Sequence, residues 1–76
     1  MIPVNHVPVN QTFDVNIDDI AINSFYVGKA LKGSNSGDSV WQIRKITETG
    51  DNVTVSYADD STRYNKVWDD RSSYTY

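Results

Sequence analysis

The sequence has no cysteine, one histidine, two prolines and four glycines in 76 residues. Without cysteine, disulfide bonds and thiolate metal sites are excluded, and the lone His6 does not make a zinc site within one chain. No apolar run approaches the roughly 18 residues of a membrane span. The N-terminus also lacks the basic segment and apolar core of a secretory signal. We expect a soluble protein made in a cytoplasm, with no membrane span, no metal and no cofactor.

Basic residues are also few, at seven Lys and Arg against ten Asp and Glu, which gives a net charge of −3. Binding to a phosphate backbone requires clustered Lys and Arg, so we expect no nucleic-acid partner. Catalysis by a triad requires a base that is oriented by a third group, and His6 has no Ser, Cys or acidic neighbour in sequence. We therefore expect no enzyme and no catalytic residues.

The short length has a consequence for stability. A domain of this size buries only about 60% of the surface that its unfolded chain exposes. Small natural domains add disulfides, a metal or a partner chain. Since the first two are excluded here, the sequence favours association, and we expect a homo-oligomer or a place in a larger assembly.

The stretch from Val40 to Tyr57 predicts a hairpin, with two β-rich segments on either side of a Gly-Asp-Asn turn. Residues 12–17 also alternate apolar and polar side chains, which is typical of a half-buried strand. We predict a turn at Asp18-Asp19, a second apolar strand within residues 20–30 and a further strand at residues 62–68. The prediction is an all-β domain over residues 12–76, either a small antiparallel sheet or an SH3-like barrel of about five strands.

Residues 1–11 precede this domain and contain Pro3 and Pro8, which disfavour a central strand. A disordered tail is one interpretation. The other is an extended arm that contacts a neighbouring subunit, because the segment is more apolar than a typical solvated tail. The candidate interface residues are four from this arm and two C-terminal tyrosines: Ile2, Val4, Val7, Val9, Tyr74 and Tyr76.

Aromatic residues are numerous, with two Trp, five Tyr and two Phe. One interpretation is a stacking platform for a sugar or a base. The other, which we favour for the two tryptophans, is that they make up much of a small core. The predicted core consists of Trp41, Ile43, Val53, Val55, Tyr57 and Trp68.

Three acidic pairs, Asp18-Asp19, Asp59-Asp60 and Asp69-Asp70, fall at predicted turns. Aspartate is common in turns because its side chain bonds to the local backbone. Calcium binding is the alternative, but no loop has the spaced acidic residues and central glycine of a helix–loop–helix site. Turn chemistry is therefore the favoured interpretation.

Several motifs together resemble a known family. They are Tyr-Val-Gly-Lys-Ala at 26–30, Val-Trp-Gln-Ile-Arg-Lys-Ile-Thr at 40–47, Tyr-Ala-Asp-Asp-Ser at 57–61 and Val-Trp-Asp-Asp-Arg-Ser-Ser-Tyr at 67–74. This order is similar to small proteins and C-terminal modules encoded among the virion structural genes of bacteriophages. The likeness covers about two-thirds of the chain. Family members often have Ala-Asp-Gly where this chain has Ala-Asp-Asp.

The resemblance implies a virion structural protein without enzymatic activity, such as a capsid decoration, fibre or tail-associated subunit. Its partners would be other virion proteins and further copies of itself. The alternative function is a receptor-like module that binds surface glycan. That alternative requires a solvent-exposed cluster drawn from four tyrosines: Tyr26, Tyr64, Tyr74 and Tyr76.

Overall fold

The computed structural model describes residues 12–76, and it confirms an all-β fold with little helix. The strands are β1 (Phe13–Ala21), β2 (Ser24–Leu31), β3 (Ser39–Thr49), β4 (Asn52–Tyr57) and β5 (Lys66–Val67). A 3-10 turn (Ala58–Asp60) and a 3-10 helix (Trp68–Ser73) complete the described elements. The predicted N-terminal arm, residues 1–11, lies outside the described residues.

The first four strands form an antiparallel sheet in the order β1-β2-β3-β4, so each strand pairs with its neighbour in sequence. The short β5 pairs with the first residues of β3. Within residues 12–76, β1 pairs only with β2 and β4 only with β3, so the sheet is open. Of the two predicted alternatives, the antiparallel sheet holds and the SH3-like barrel does not.

The turn predicted at Asp18-Asp19 is wrong. Both aspartates lie in β1 and pair with Tyr26 and Phe25 of β2. The chain turns instead just before β2, where Asn23 adopts a φ of 64°. Asparagine tolerates this left-handed conformation. The pairing of β1 with β2 continues without a break through the two aspartates, although Asp19 interrupts the apolar alternation.

One further strand differs in length from the prediction, and β3 settles a choice that the sequence left open. The expected strand at residues 62–68 is reduced to the two residues of β5, and the 3-10 helix begins at once after it. In sequence, the change of phase between Ile43 and Ile46 predicts either a bulge or a strand that serves two faces, and the regular register of β3 with both β2 and β4 shows the second. These two isoleucines therefore lie on opposite faces of one regular strand.

The core lies on one face of the sheet, under the 3-10 helix. Its fully or nearly buried hydrophobic residues are Ala30, Trp41, Ile43, Ala58 and Trp68. Three predicted core residues are therefore in place, Trp41, Ile43 and Trp68. The two indole rings lie 5.9 Å apart at 39°, an arrangement favourable for aromatic pairs.

Gly28 makes this packing possible. A Cβ at Gly28 would lie 2.4 Å from Cε3 and 2.5 Å from Cζ3 of Trp68, and 3.2 Å from Cε3 of Trp41. Any other residue would therefore collide with the indole that closes the core. The glycine is the point at which the 3-10 helix can approach the sheet closely.

The prediction of core positions in β4 is wrong for two residues. Val53 and Val55 are 62% and 46% exposed, and Tyr57 is only half-buried. The register explains the error, because Val55 pairs with Ile46 and Tyr57 with Arg44, on the face opposite Trp41 and Ile43. The apolar side of β4 thus faces away from the core.

The C-terminal residues are held against the sheet. Tyr76 packs its ring 5.3 Å from that of Tyr26, and its hydroxyl donates to the carbonyl oxygen of Arg71 at 2.7 Å. The backbone N–H of Val67 donates to the hydroxyl oxygen of Tyr74 at 2.9 Å. Both tyrosines are half-buried and pack against the core.

Polar contacts tie the same segment to β1 and to the 3-10 turn. Arg71 donates through Nε to Oδ2 of Asp18 at 2.9 Å, and its guanidinium lies 4.7 Å from the ring centre of Trp68. Asp59 and Thr75 exchange two hydrogen bonds, at 2.7 Å and 3.1 Å. The 3-10 helix and the residues after it form a cover over one face of the sheet.

Candidate interaction surface

The other face of the sheet carries mostly apolar side chains. In an antiparallel sheet, residues that pair directly across strands point to the same side, and alternate residues point to opposite sides. The registers therefore place 15 side chains together on the face opposite Trp41 and Ile43. We call this surface the open face: Phe13, Val15, Ile17, Asp19, Phe25, Val27, Lys29, Leu31, Gln42, Arg44, Ile46, Glu48, Val53, Val55 and Tyr57.

In β1 the usual burial pattern is inverted, because the apolar side chains are exposed and the polar ones are half-buried. Its apolar residues are more exposed than its polar ones, with Ile17 at 66% and Val15 at 56%, whereas Asp14, Asn16 and Asp18 are half-buried. The half-buried side is the one that faces the cover. The hydrophobic alternation of β1 thus serves the open face and not the core of the chain.

Pairing divides the open face into five rows that run across the strands. Row one lies at the start of β1, and row five lies at the β3–β4 turn. Row one is Phe13 and Leu31; row two is Val15, Lys29 and Gln42; row three is Ile17, Val27, Arg44 and Tyr57; row four is Asp19, Phe25, Ile46 and Val55; and row five is Glu48 and Val53. The two cations lie in rows two and three, and the two carboxylates lie in rows four and five.

Both cations pack on aromatic rings of the open face. The Nζ of Lys29 lies 4.4 Å from the centre of the Phe13 ring, and the guanidinium of Arg44 lies 5.8 Å from that of Tyr57. The Nε of Arg44 is buried, yet it has no hydrogen-bond acceptor among the described residues. A buried donor without an acceptor costs free energy, so the packing of Arg44 on Tyr57 carries an energetic penalty.

An apolar cleft continues the open face beyond row one. It is lined by Phe13, Leu31, Ser34, Val40 and Tyr64, and the Phe13 and Tyr64 rings lie 6.1 Å apart. Tyr64 is exposed, as are Leu31 and Val40. The cleft thus extends the accessible apolar surface at one end of the sheet.

The candidate interface residues are only partly placed. Ile2, Val4, Val7 and Val9 lie outside the described residues, as does His6. Tyr74 and Tyr76 pack against the core, and burial raises the pKa of Tyr76 above its usual value, with nearby Tyr26, Tyr74 and Asp59 adding to the effect. These two tyrosines stabilise the cover and do not form a free surface.

The four tyrosines considered for glycan binding do not form an exposed cluster. Tyr64 is 42% exposed, but Tyr26, Tyr74 and Tyr76 are half-buried and pack against the core. Only Tyr64 offers an exposed aromatic ring, and it does so beside Phe13 in the cleft.

The acidic pairs have structural roles, and two of their contacts join segments that are distant in sequence. Asp18 pairs with Arg71, Asp59 bonds to Thr75, and Asp69 and Asp70 occupy the first turn of the 3-10 helix. Across residues 12–76, no group of three or more His, Cys, Asp or Glu side chains is placed to hold a metal ion. In the same part of the chain, no helix is long and apolar enough to cross a membrane.

The open face was missed at the level of sequence, although a signal for it exists. In β3, Trp41 and Ile43 have one phase and Ile46 has the other. A regular strand that is apolar in both phases requires apolar surroundings on both faces of its sheet. Phe13, Val15 and Ile17 belong to the second face.

Comparisons with known proteins assign no relative, because the chain matches no family model, no curated protein and no solved structure.

Proposed function

We propose that this chain is a structural subunit that acts by binding protein, and that the open face is its docking surface. The observation that carries the proposal is the inversion of β1, in which Val15 and Ile17 are exposed while Asp14 and Asn16 are half-buried. A strand with this pattern is stabilised by its apolar side only when another surface covers it.

The size of the open face supports this function. Four strands about 4.8 Å apart and roughly 24 Å long give a projected area on the order of 450 Å². The largest apolar patch on a monomer is about 300–600 Å² and is often functional. The open face lies in that range, and the apolar cleft at Tyr64 adds to it.

We further propose that the assembly is a bacteriophage virion, where the chain serves as a decoration, fibre or tail-associated subunit. The support is the sequence resemblance of the segments at 26–30, 40–47 and 67–74. Binding to another protein subunit of the particle, either a different virion protein or a further copy of the chain, would cover the open face. The chemistry required is apolar burial, and no catalytic step is involved.

The test uses particles of the virus that encodes the chain. Quantitative mass spectrometry of purified particles should find the chain at a fixed copy number. Val55→Glu should reduce incorporation sharply, because it places a charge in row four. Thr54→Glu is the matched control, since it lies on the same strand with its side chain on the opposite face.

Absence of the wild-type chain from the particles would overturn the virion location. Equal incorporation of the two variants, both shown to be folded by circular dichroism, would overturn the open face as the docking surface. The glycan alternative depends on a different residue, Tyr64, and would appear as a change in tyrosine fluorescence on titration with saccharides.

A further inference from the structure

The charges on the open face are arranged in a self-complementary way. Lys29 and Arg44 lie in rows two and three, and Asp19 and Glu48 lie in rows four and five. One half of the face is therefore basic and the other half acidic, while the remaining positions are almost all apolar. Within one copy, Arg44 and Glu48 are four residues apart on β3, about 13 Å, which is too far for an ion pair.

We propose that the partner of the open face is a second copy of this chain, packed face to face with its strands antiparallel to those of the first. This inference rests on the proposed protein-binding function and names the partner. The two sheets would form a sandwich whose second core consists of the two open faces.

Symmetry brings opposite charges together in this arrangement. A two-fold axis that lies between the sheets and runs perpendicular to the strands places each strand over its own copy and reverses the row order. When this axis passes between rows three and four, rows two and three of one copy lie over rows five and four of the other. Glu48 of the second copy comes within one row of Arg44 and within one strand of Lys29, across the usual sheet separation of about 10 Å.

The guanidinium of Arg44 bears on this arrangement through its Nε, which is buried within its own chain. That atom has no acceptor among residues 12–76. Because this atom is already buried within its own chain, a carboxylate of the second copy would accept from the outer guanidinium nitrogens of Arg44 instead, and hydrogen bonds between charged groups are the strong ones. The self-complementary rows therefore carry the inference, and the guanidinium of Arg44 supplies the donors.

The N-terminal segment is a poorer candidate for this position. Residues 1–11 contain no Asp and no Glu, so they supply no side-chain carboxylate for Arg44 or Lys29. A second copy supplies two carboxylates, Asp19 and Glu48, at the required end of the face.

The modest area predicts a reversible dimer. Stable interfaces bury about 800 Å² on each partner. The projected area of the open face is roughly half of that, without the cleft and without the extra area of protruding side chains. The dimer should therefore dissociate on dilution. Sedimentation equilibrium of the full chain over a range of concentrations measures this directly.

Charge reversal tests the geometry. Arg44→Glu and Glu48→Lys should each raise the dimer dissociation constant by about tenfold or more, because like charges then face each other across the interface. An equimolar mixture of these two variants should associate. At positions 44 and 48 the first variant then carries only acidic groups and the second only basic ones, so opposite charges face each other in the mixed dimer. The matched controls are Arg63→Glu and Asp51→Lys, which make the same charge changes at exposed positions outside the open face.

Each outcome decides the matter. A wild-type chain that stays monomeric at all concentrations overturns the inference, as does a mixture that associates no better than its components. If Arg44→Glu does not fold, Lys29→Glu takes its place in the mixture. A monomeric chain that is still incorporated into particles would refute the dimer alone and leave the proposed function in place.

Discussion

The close approach of Gly28 to Trp68 gives the sharpest test of the fold. In Gly28→Ala, the new methyl group would lie 2.4 Å from Cε3 of Trp68 and 3.2 Å from Cε3 of Trp41. Both indoles are buried, so neither ring can move into solvent without loss of core contacts. The indole of Trp68 would have to shift, and Arg71, which packs on it, would shift with it.

The expected cost follows from two opposing terms. Inserting a methyl group into a packed core costs about 1–3 kcal/mol. Replacing glycine restricts the unfolded chain and returns about 0.4–1 kcal/mol. We expect Gly28→Ala to lower the free energy of unfolding by about 1–2 kcal/mol, which corresponds to a fall in Tm of roughly 5–15 °C for a domain of this size.

Urea unfolding followed by tryptophan fluorescence measures this loss. Gly37→Ala is the matched control, because its Cβ would meet only Oδ2 of Asp69, at an ordinary 3.6 Å. It should change stability by less than about 0.5 kcal/mol. Trp68→Phe should cost less in the Gly28→Ala background than in the wild type, since the smaller ring relieves the collision. Full additivity of the two costs, or a Gly28→Ala variant as stable as the wild type, would refute the reasoning.

Three further predictions follow from the cover and the open face. Arg71→Ala should destabilise the chain by about 1–2 kcal/mol in urea unfolding, because it removes a half-exposed ion pair and a cation–π contact; Arg63→Ala is the neutral control. Burial raises the pKa of Tyr76, so the unfolded state loses the phenol proton at a lower pH than the folded state does. The free energy of unfolding should therefore fall as pH rises above the usual tyrosine pKa of about 10. In Tyr76→Phe this fall should be shallower when unfolding is followed by circular dichroism. Val53→Thr should leave the stability of the dilute monomer within about 0.5 kcal/mol, in contrast to a core valine, and a larger loss would mean that the valine is covered within its own chain.

The sequence was sufficient for the fold class and for the centre of the core. Alternation in β3 and β4 identified the hairpin, and the size of Trp41, Ile43 and Trp68 identified the residues that fill the core. A glycine within a strand, such as Gly28, is typical of a bulge or a close backbone approach, and the structure shows the close approach.

The assignment of faces could not be made in the same way. Alternation states that Val53 and Val55 share a side with Tyr57, but it does not state which side the cover occupies. That choice depends on where Trp68 docks, and this contact is made 40 residues away from Gly28 in sequence. For the same reason Asp18 was assigned to a turn, although its position in β1 is stabilised by an ion pair with Arg71.

The cover also determines how the protein can partly unfold and aggregate. The paired strands β1 to β4 are neighbours in sequence, so they form through local contacts, whereas the cover docks through contacts between residues that are distant in sequence. Detachment of the cover is therefore a partial unfolding that can leave the strands paired. A sheet without its cover would expose Trp41 and Ile43 on one face in addition to the apolar side chains of the open face, and it would retain free edges at β1 and β4. Exposed apolar surface and free strand edges together promote aggregation. The rate at which Trp68 undocks, rather than the rate at which the strands separate, would then determine how fast the chain aggregates in concentrated solution.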